Sequence, residues 1–322
     1  MTVPTNTRTV YGAIGIREDL SNIIYNISPT ETPFLSGCGR ETADNTFFEW
    51  QTDDLTTAAA SRSLEGNDPE SLAVAEPTRV GNYTQISVKA VQTSGTAESV
   101  DFAGRKSTQA YQLAKRAKEM KRDMEKMLMD NVARNVGAAG TATVTAGLGA
   151  WVGANYNSLG SAPSPPGLGS ACTGNGTDIT SDATTTGTLT EAGMKIVIAE
   201  CFDNGGTPDT ILVDSGNKQV ISALTQTVSE LRTAADKAAP ASVVAAVDVY
   251  VSDFGTFKII PDRFQRARDM WFIDFDFWAV AYLRPFRTET LAKTGDSVKQ
   301  MLVAEYGLMS KNQKSSGFLA DV

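Results

Sequence analysis

The chain has 322 residues, 41% hydrophobic and 20% charged, so it can bury a sizeable core in one large domain or in two to three smaller ones. It contains no histidine, which excludes Ser-His-Asp and Cys-His catalysis and every histidine-ligated metal motif. The net charge of −8 argues against tight binding of nucleic-acid phosphate, because such proteins usually carry a basic excess.

Neither cysteine usage nor hydropathy points to a secreted or membrane protein. Cys38, Cys172 and Cys201 are far apart and odd in number, which does not favour a disulfide framework or a zinc site. No apolar run reaches the ~18 residues of a membrane span, and the N-terminus lacks the apolar region of a signal peptide. We therefore expect synthesis in a reducing cytoplasm and no membrane partner.

The segment 14–55 carries much apolar surface on a chain that Pro29 and Pro33 interrupt. Four apolar residues at helical spacing predict a helix before the first proline: Leu20, Ile23, Ile24 and Ile27. That helix should end at the proline, because the residue before a proline avoids the α region. Residues 46–52 then predict a strand. Since such a segment does not readily bury itself, we interpret it as an arm that lies across something else, such as another subunit.

A long polar connection follows. Residues 56–82 are rich in Ala, Ser, Glu, Gly and Pro, and strand-like alternation returns over 83–92 with Ile86 and Val88. A connection of this length is uncommon in a compact domain unless it has a function. The pattern predicts a very long β-hairpin or a projecting loop.

Residues 107–136 form the strongest helix signal, with Ser107 able to cap the start and Gly137 able to end it. Thirty residues would make a rod of about 45 Å. One apolar stripe at 3.6-residue spacing should face the core: Leu113, Ala117, Met120, Met124, Met127, Leu128, Val132 and Val136. The opposite face mixes Lys and Arg with Glu and Asp. That mixture favours a solvated face or ion pairs to neighbouring subunits, with DNA contact as the other possibility.

The remaining chain divides at a long loop. Residues 138–187 are dominated by Gly, Ala, Ser, Thr and Pro and mark the clearest boundary, with Trp151 and Tyr156 as local anchors. An α+β segment follows, with helices predicted over 189–202 and 215–224, a strand over 210–213, and a hairpin of 247–251 with 256–260. The end is dense in strands, predicted over 270–275, 278–283, 300–308 and 317–319, with an interruption at Pro285.

No motif that carries chemistry stands out. Asp214-Ser215-Gly216 between a strand and a helix could be a nucleophile turn, but without histidine helix capping is favoured. Asp274 and Asp276 alternate with apolar residues, which predicts a solvated strand face rather than a metal site. We assign no catalytic residue, cofactor or metal ligand. An enzyme with a small-molecule site in 188–265 is kept as the alternative.

Several collinear motifs together resemble the tailed-phage major capsid proteins of the HK97-like fold. They are Arg17-Glu18-Asp19-Leu20, residues 28–36, residues 48–53, residues 147–151, residues 282–286, residues 289–296, and the ending Asn312-Gln313-Lys314 with Gly317. The resemblance spans nearly the whole chain. It implies an α+β fold with an N-terminal arm, an extended β-hairpin loop, a long spine helix, a peripheral domain and an axial domain.

The order of the predicted elements matches those parts. The implied divisions are an arm over 1–45, an extended loop over 46–104, and a peripheral domain with the spine helix and Gly-rich loop over 105–187. The axial domain would cover 188–265, and the C-terminal strands over 266–322 would return to the peripheral domain.

The resemblance implies a non-enzymatic protein of the virion, made in the host bacterial cytoplasm. It would assemble with itself into hexamers and pentamers of an icosahedral shell around double-stranded DNA. A separate scaffolding protein, a portal and a decoration protein are expected partners, and contact with the packaged DNA should be weak and non-specific. Eight residues are expected to make inter-subunit contacts: Ile23, Phe34, Leu35, Phe47, Trp50, Arg62, Glu65 and Arg79.

Overall fold

The computed structural model describes residues 28–56, 58, 60, 62, 64–68, 76–160, 171–233 and 248–322, with 225–233 as backbone only. Ile23 and the helix predicted over 19–27 lie outside these residues. The α-helices are α1 (Pro33–Gly37), α2 (Gly95–Ser99), α3 (Thr108–Leu128), α4 (Glu191–Asp203) and α5 (Ser215–Thr233). The strands are β1 (Gly39–Thr42), β2 (Phe47–Thr52), β3 (Thr78–Tyr83), β4 (Gln85–Ser94), β5 (Tyr156–Ser158), β6 (Thr210–Val213), β7 (Val249–Ser252), β8 (Gly255–Pro261), β9 (Asp269–Ile273), β10 (Trp278–Thr290), β11 (Ser297–Ser310) and β12 (Gly317–Ala320).

A four-stranded sheet in the order β1-β10-β11-β4 supports the longest helix. β1 runs parallel to β10, and the other pairs are antiparallel. Alternate residues of β11, Leu302, Ala304 and Tyr306, lie in one core with Met120 and Met124 of α3. The predicted apolar stripe is therefore confirmed as the face that α3 buries against this sheet up to Leu128. Val132 and Val136 lie beyond the helix, and Val136 is exposed, so the prediction was wrong for these two residues.

The start of α3 was predictable from the sequence and its end was not. Ser107 Oγ accepts a backbone N–H of the first turn at 3.2 Å, which confirms the predicted cap. The helix ends at Leu128 rather than at Gly137. Beyond it the chain bonds to the Gly-rich loop instead, as when the Asn131 amide donates to the Thr180 carbonyl at 2.5 Å. α3 is therefore 21 residues, about 32 Å long.

A six-stranded sheet in the order β5-β12-β9-β6-β8-β7 forms the second layer. Helices α4 and α5 contribute to a separate core on one of its faces, where Val197, Ile198 and Ile221 meet Ile211 and Phe257. The Asp214 carboxylate accepts the N–H of Gly216 at 3.0 Å, which confirms capping at the start of α5.

Four sequence predictions are corrected by the strand pairing. The strand that returns to β2 is β3, whereas the predicted strand over 83–92 corresponds to β4, which pairs with β11. The strands after residue 265 divide between both sheets, because β9 pairs with β6 and β12. β10 continues past Pro285 through shifts in register. Asp274 and Asp276 lie at a 3₁₀ turn, where Asp274 accepts the Asp276 N–H, and not on a strand.

Candidate subunit-contact site

The N-terminal arm is fastened to the body by a carboxylate. α1 has only five residues, which is too short to persist on its own, and Pro33 pre-sets its first turn. Glu125 of α3 supplies the missing acceptors: its Oε1 accepts the N–H of Phe34 and its Oε2 that of Leu35, each at 2.7 Å. Because free amides point out of a helix N-terminus, an anionic or hydrogen-bonding carboxyl group is well placed there.

Hydrophobic packing completes this anchor. The Phe34 ring is fully buried, with its centroid 6.2 Å from that of Phe275 and 6.1 Å from that of Trp278. Leu35 is half-buried against the same core. Of these two predicted contact residues, Phe34 has its whole side chain covered within one chain, whereas Leu35 keeps surface for a second subunit.

The anchor contains a buried carboxyl pair. The pKa of Glu125 is raised to about 8, mainly by burial and also by the neighbouring Asp262, against the opposing effect of the hydrogen bonds from the Leu35 and Phe34 N–H groups. Burial also raises the pKa of Asp262, whose carboxylate accepts the N–H of Phe264 at 2.9 Å. Among the described residues, neither group forms a salt bridge with a basic side chain, so two charges here would be costly. The pair therefore shares one proton at neutral pH, and the proton resides on Glu125.

The β2–β3 hairpin is fixed to the body by aromatic packing at its base. It pairs from Phe47 opposite Tyr83 to Thr52 opposite Thr78. The Phe47 ring lies 4.6 Å from that of Tyr83, and the Trp50 ring lies 5.3 Å from that of Trp151. Phe47 and Trp50 are half-buried within their own chain, so only part of each side chain is available to a neighbour.

Asn82 is the polar counterpart of this packing. It is fully buried at the end of β3. Its amide donates to Thr145 Oγ1 at 2.9 Å and to the Leu308 carbonyl at 2.7 Å, and its carbonyl accepts the N–H groups of Ala146 at 3.0 Å and Tyr83 at 2.9 Å. Three of these four hydrogen bonds connect the hairpin to the Gly-rich loop and β11, which orients the hairpin rigidly.

The hairpin tip, described at residues 53–56, 58, 60, 62, 64–68, 76 and 77, carries large apolar side chains in solvent. Leu55 is 100% exposed and Leu64 is 81% exposed. Arg62 and Glu65 are also exposed, and Arg79 pairs with Glu49 where the strands begin to separate. The structure thus brings Arg62, Glu65 and Arg79 to one projecting element and leaves them away from the arm anchor.

Other kinds of site find little support. Among the described residues, no group of three or more Cys, Asp and Glu side chains is arranged to hold a metal ion. Within the same ranges, no helix is both long and apolar enough to cross a membrane.

Solved structures on which the chain superimposes include capsids of phages and of a GTA particle. The chain superimposes on the capsid asymmetric unit of cyanophage A-1(L) with a TM-score of 0.68 at 14% identity, covering 95% of this chain and 97% of that one. The capsid of a native GTA particle gives 0.58 at 13% identity, covering 98% and 99%. The capsid of cyanophage P-SCSP1u gives 0.58 at 10% identity, with the same coverage. The α+β fold is therefore a capsid-protein fold.

Sequence similarity identifies the family to which the chain belongs among capsid proteins. Residues 3–322 match the SU10 major capsid protein family, and the chain belongs to it. It is also 28% identical over 337 aligned positions to the major capsid protein of Escherichia phage Phieco32, covering 96% of this chain and 95% of that protein. The protein is accordingly a phage major capsid protein, a structural component of the virion shell.

Proposed function

We propose that the protein assembles into hexamers and pentamers that close an icosahedral shell around packaged double-stranded DNA, in an HK97-like arrangement. In that arrangement residues 1–45 are the arm, 46–104 the extended loop, 105–187 the peripheral domain with α3 as its spine, 188–265 the axial domain and 266–322 the returning strands. The boundary after residue 265 follows the order of the chain and not the sheets, because β9 and β12, which come after it, lie in the same sheet as β6 and β8, which come before it.

The hairpin tip is the observation that carries this proposal. A monomeric protein rarely projects fully exposed leucines, because apolar surface is stabilised when it leaves water. The base of the hairpin is held by Asn82 and Trp50, so the tip is presented in a defined direction. An apolar contact that is held in place by a rigid base is suited to repeated contact with identical neighbours.

The other predicted contact residues surround this apolar centre. Arg62, Glu65 and Arg79 belong to the same hairpin as the exposed Leu55 and Leu64, and they would supply the polar rim of an interface whose apolar centre is the two leucines. Ile23 and the exposed part of Leu35 extend the contact along the arm. A scaffolding protein, a portal and a decoration protein would be further partners of the assembled shell.

Serine substitutions at the tip test the proposal. Leu55→Ser with Leu64→Ser removes the large apolar side chains but leaves the paired strands intact. Ala58→Ser with Ala60→Ser is the matched control, because both alanines are exposed in the same tip. Each protein is expressed in full, alone and with the scaffolding protein of its phage, and its assembly is followed by size exclusion and electron microscopy.

The leucine variant should remain as unassembled subunits or small oligomers with an unchanged circular dichroism spectrum, while the alanine control forms shells. Shells of normal size and yield from the leucine variant would show that the tip does not drive assembly. A wild-type protein that stays monomeric in both settings would overturn the proposed function itself.

A further inference from the structure

One face of α3 carries basic side chains, and the acidic residues of the same helix form ion pairs with other residues or are buried. At 100° per residue, Lys115, Lys118, Arg122 and Lys126 fall within an arc of about 80°. The three lysines are exposed and Arg122 is half-buried. We call these four residues, with the exposed Arg263 next to Lys126, the basic stripe.

The acidic residues of α3 do not neutralise the stripe. Glu119 pairs with Arg116 at 2.6 Å, outside the arc. Asp123 pairs with Lys89 of β4 at 2.5 Å, and Glu125 is buried in the arm anchor. Among the described residues, the three lysines of the stripe form no salt bridge. Glu119 and Asp130 also line the grooves beside the stripe, so five cations face two carboxylates there. The surface is therefore locally positive on a chain of net charge −8.

The shape of the stripe fits a linear polyanion. The twelve residues of helix from Lys115 to Lys126 are separated by eleven steps and span about 16 Å. A DNA strand presents a phosphate every ~3.4 Å along the helix axis, so about five phosphates lie within that length. A groove of about 590 Å³ runs beside the N-terminal half of the stripe, lined by Thr30, Tyr111 and Glu119 among others.

We propose that the basic stripe is the surface that meets the phosphate backbone of the packaged DNA; this rests on the proposed function. Each lysine would approach a phosphate without reading a base, so contact would be independent of sequence and sensitive to salt. A negatively charged shell subunit repels DNA on average, and a local positive surface on the inward side offsets that repulsion at close range.

A protein partner is less well matched by the same surface. An acidic segment of a second copy would need an apolar centre to hold it, and interface cores are depleted in lysine. The exposed Ala114 beside Lys115 is small, and the aromatic ring of Tyr111 is half-buried. Phosphate binding requires only the charges, which is what the stripe offers.

The test uses full-length subunits and short duplex DNA of mixed sequence, with binding followed by fluorescence anisotropy at several salt concentrations. The variant carries Lys115→Gln, Lys118→Gln and Lys126→Gln. A control with the same loss of charge carries Lys258→Gln, Lys293→Gln and Lys299→Gln, which are exposed lysines outside α3. Thermal unfolding and shell formation are measured in parallel.

Losing three phosphate contacts should lower the slope of log affinity against log salt by about 2.7. Between about 50 and 200 mM salt, wild-type affinity should then fall about 40-fold more than that of the variant. The control should keep the wild-type slope. Equal slopes for stripe variant and wild type would refute the DNA contact.

Shell formation separates this inference from the proposed function. A stripe variant that assembles normally but loses DNA affinity supports the stripe as a DNA surface. A variant that fails to assemble yet binds DNA like wild type would make the stripe a contact between subunits and would overturn the inference. Failure of the wild-type protein to assemble would instead count against the shell function.

Discussion

Replacing Glu125 with glutamine should remove a pH dependence of stability that the arm anchor imposes. The substitution keeps the size of the side chain, and its amide can still donate to Asp262 while its carbonyl accepts one N–H of α1. One of the two arm amides loses its acceptor, which costs about 1–3 kcal/mol at a buried position. The titrating proton of the buried pair is lost as well.

The magnitude follows from the pKa of Glu125, which burial raises from 4.5 to about 8. A carboxyl group with a raised pKa binds its proton more tightly in the folded state. Its contribution to stability is therefore complete below about pH 4.5 and is lost as the pH rises through about 8. At ~1.4 kcal/mol per pH unit, the wild-type protein should lose about 3 kcal/mol from this group between about pH 5 and pH 8.

Urea unfolding at several pH values between about 5 and 8 measures this difference. The Gln variant should be about 1–3 kcal/mol less stable than wild type near pH 5. The difference should shift by about 3 kcal/mol in favour of the variant by pH 8, so that the variant is there as stable as wild type or more stable. Glu119→Gln is the control, since that carboxylate pairs with Arg116 at the surface and its loss should change stability by less than about 0.5 kcal/mol. Parallel profiles of wild type and Glu125→Gln would refute the buried-pair reasoning.

Two further substitutions probe the anchors. Phe34→Ala should lower the free energy of unfolding by about 3–5 kcal/mol, because the side chain is fully buried. Phe202→Ala is the control and should cost less than about 1 kcal/mol, because Phe202 is 58% exposed. Equal shifts of the urea midpoint in the two variants would contradict the core role of Phe34. Asn82→Ala should cost about 3 kcal/mol or more by leaving buried partners such as the Ala146 N–H unsatisfied. The exposed Asn67→Ala is its control, and protease cleavage within the hairpin should rise only for the Asn82 variant.

Sequence patterns predicted a structural feature correctly where that feature depends only on residues close together in the chain. A cap needs only a hydroxyl next to the first turn, so Ser107 predicted the start of α3. The end depended on contacts such as the hydrogen bond from Asn131 to Thr180, and their sequence separation of 49 residues hides that contact from any local pattern. In the same way, the alternation of Ile86 and Val88 predicted a strand but not its partner β11.

The candidate site was predictable in outline for the hairpin and only in part for the arm. Proline spacing and aromatic clustering pointed to Phe34 and Trp50, but whether such residues face a neighbour or their own core depends on the tertiary fold. Glu125 was taken as part of the polar face of α3. Its place beside Met124 was the only hint that it is buried, and the amides that make burial tolerable lie 90 and 91 residues away.

The arm anchor also has a consequence for the order of events during synthesis. α1 is made early, yet its amides are satisfied by Glu125, and that carboxyl group shares its proton with Asp262 at the end of β8. The docked arm therefore becomes stable only after more than three quarters of the chain has left the ribosome. A nascent chain that lacks Phe275 and Trp278 would therefore hold α1 loosely, because the Phe34 ring would have no aromatic partners to pack against.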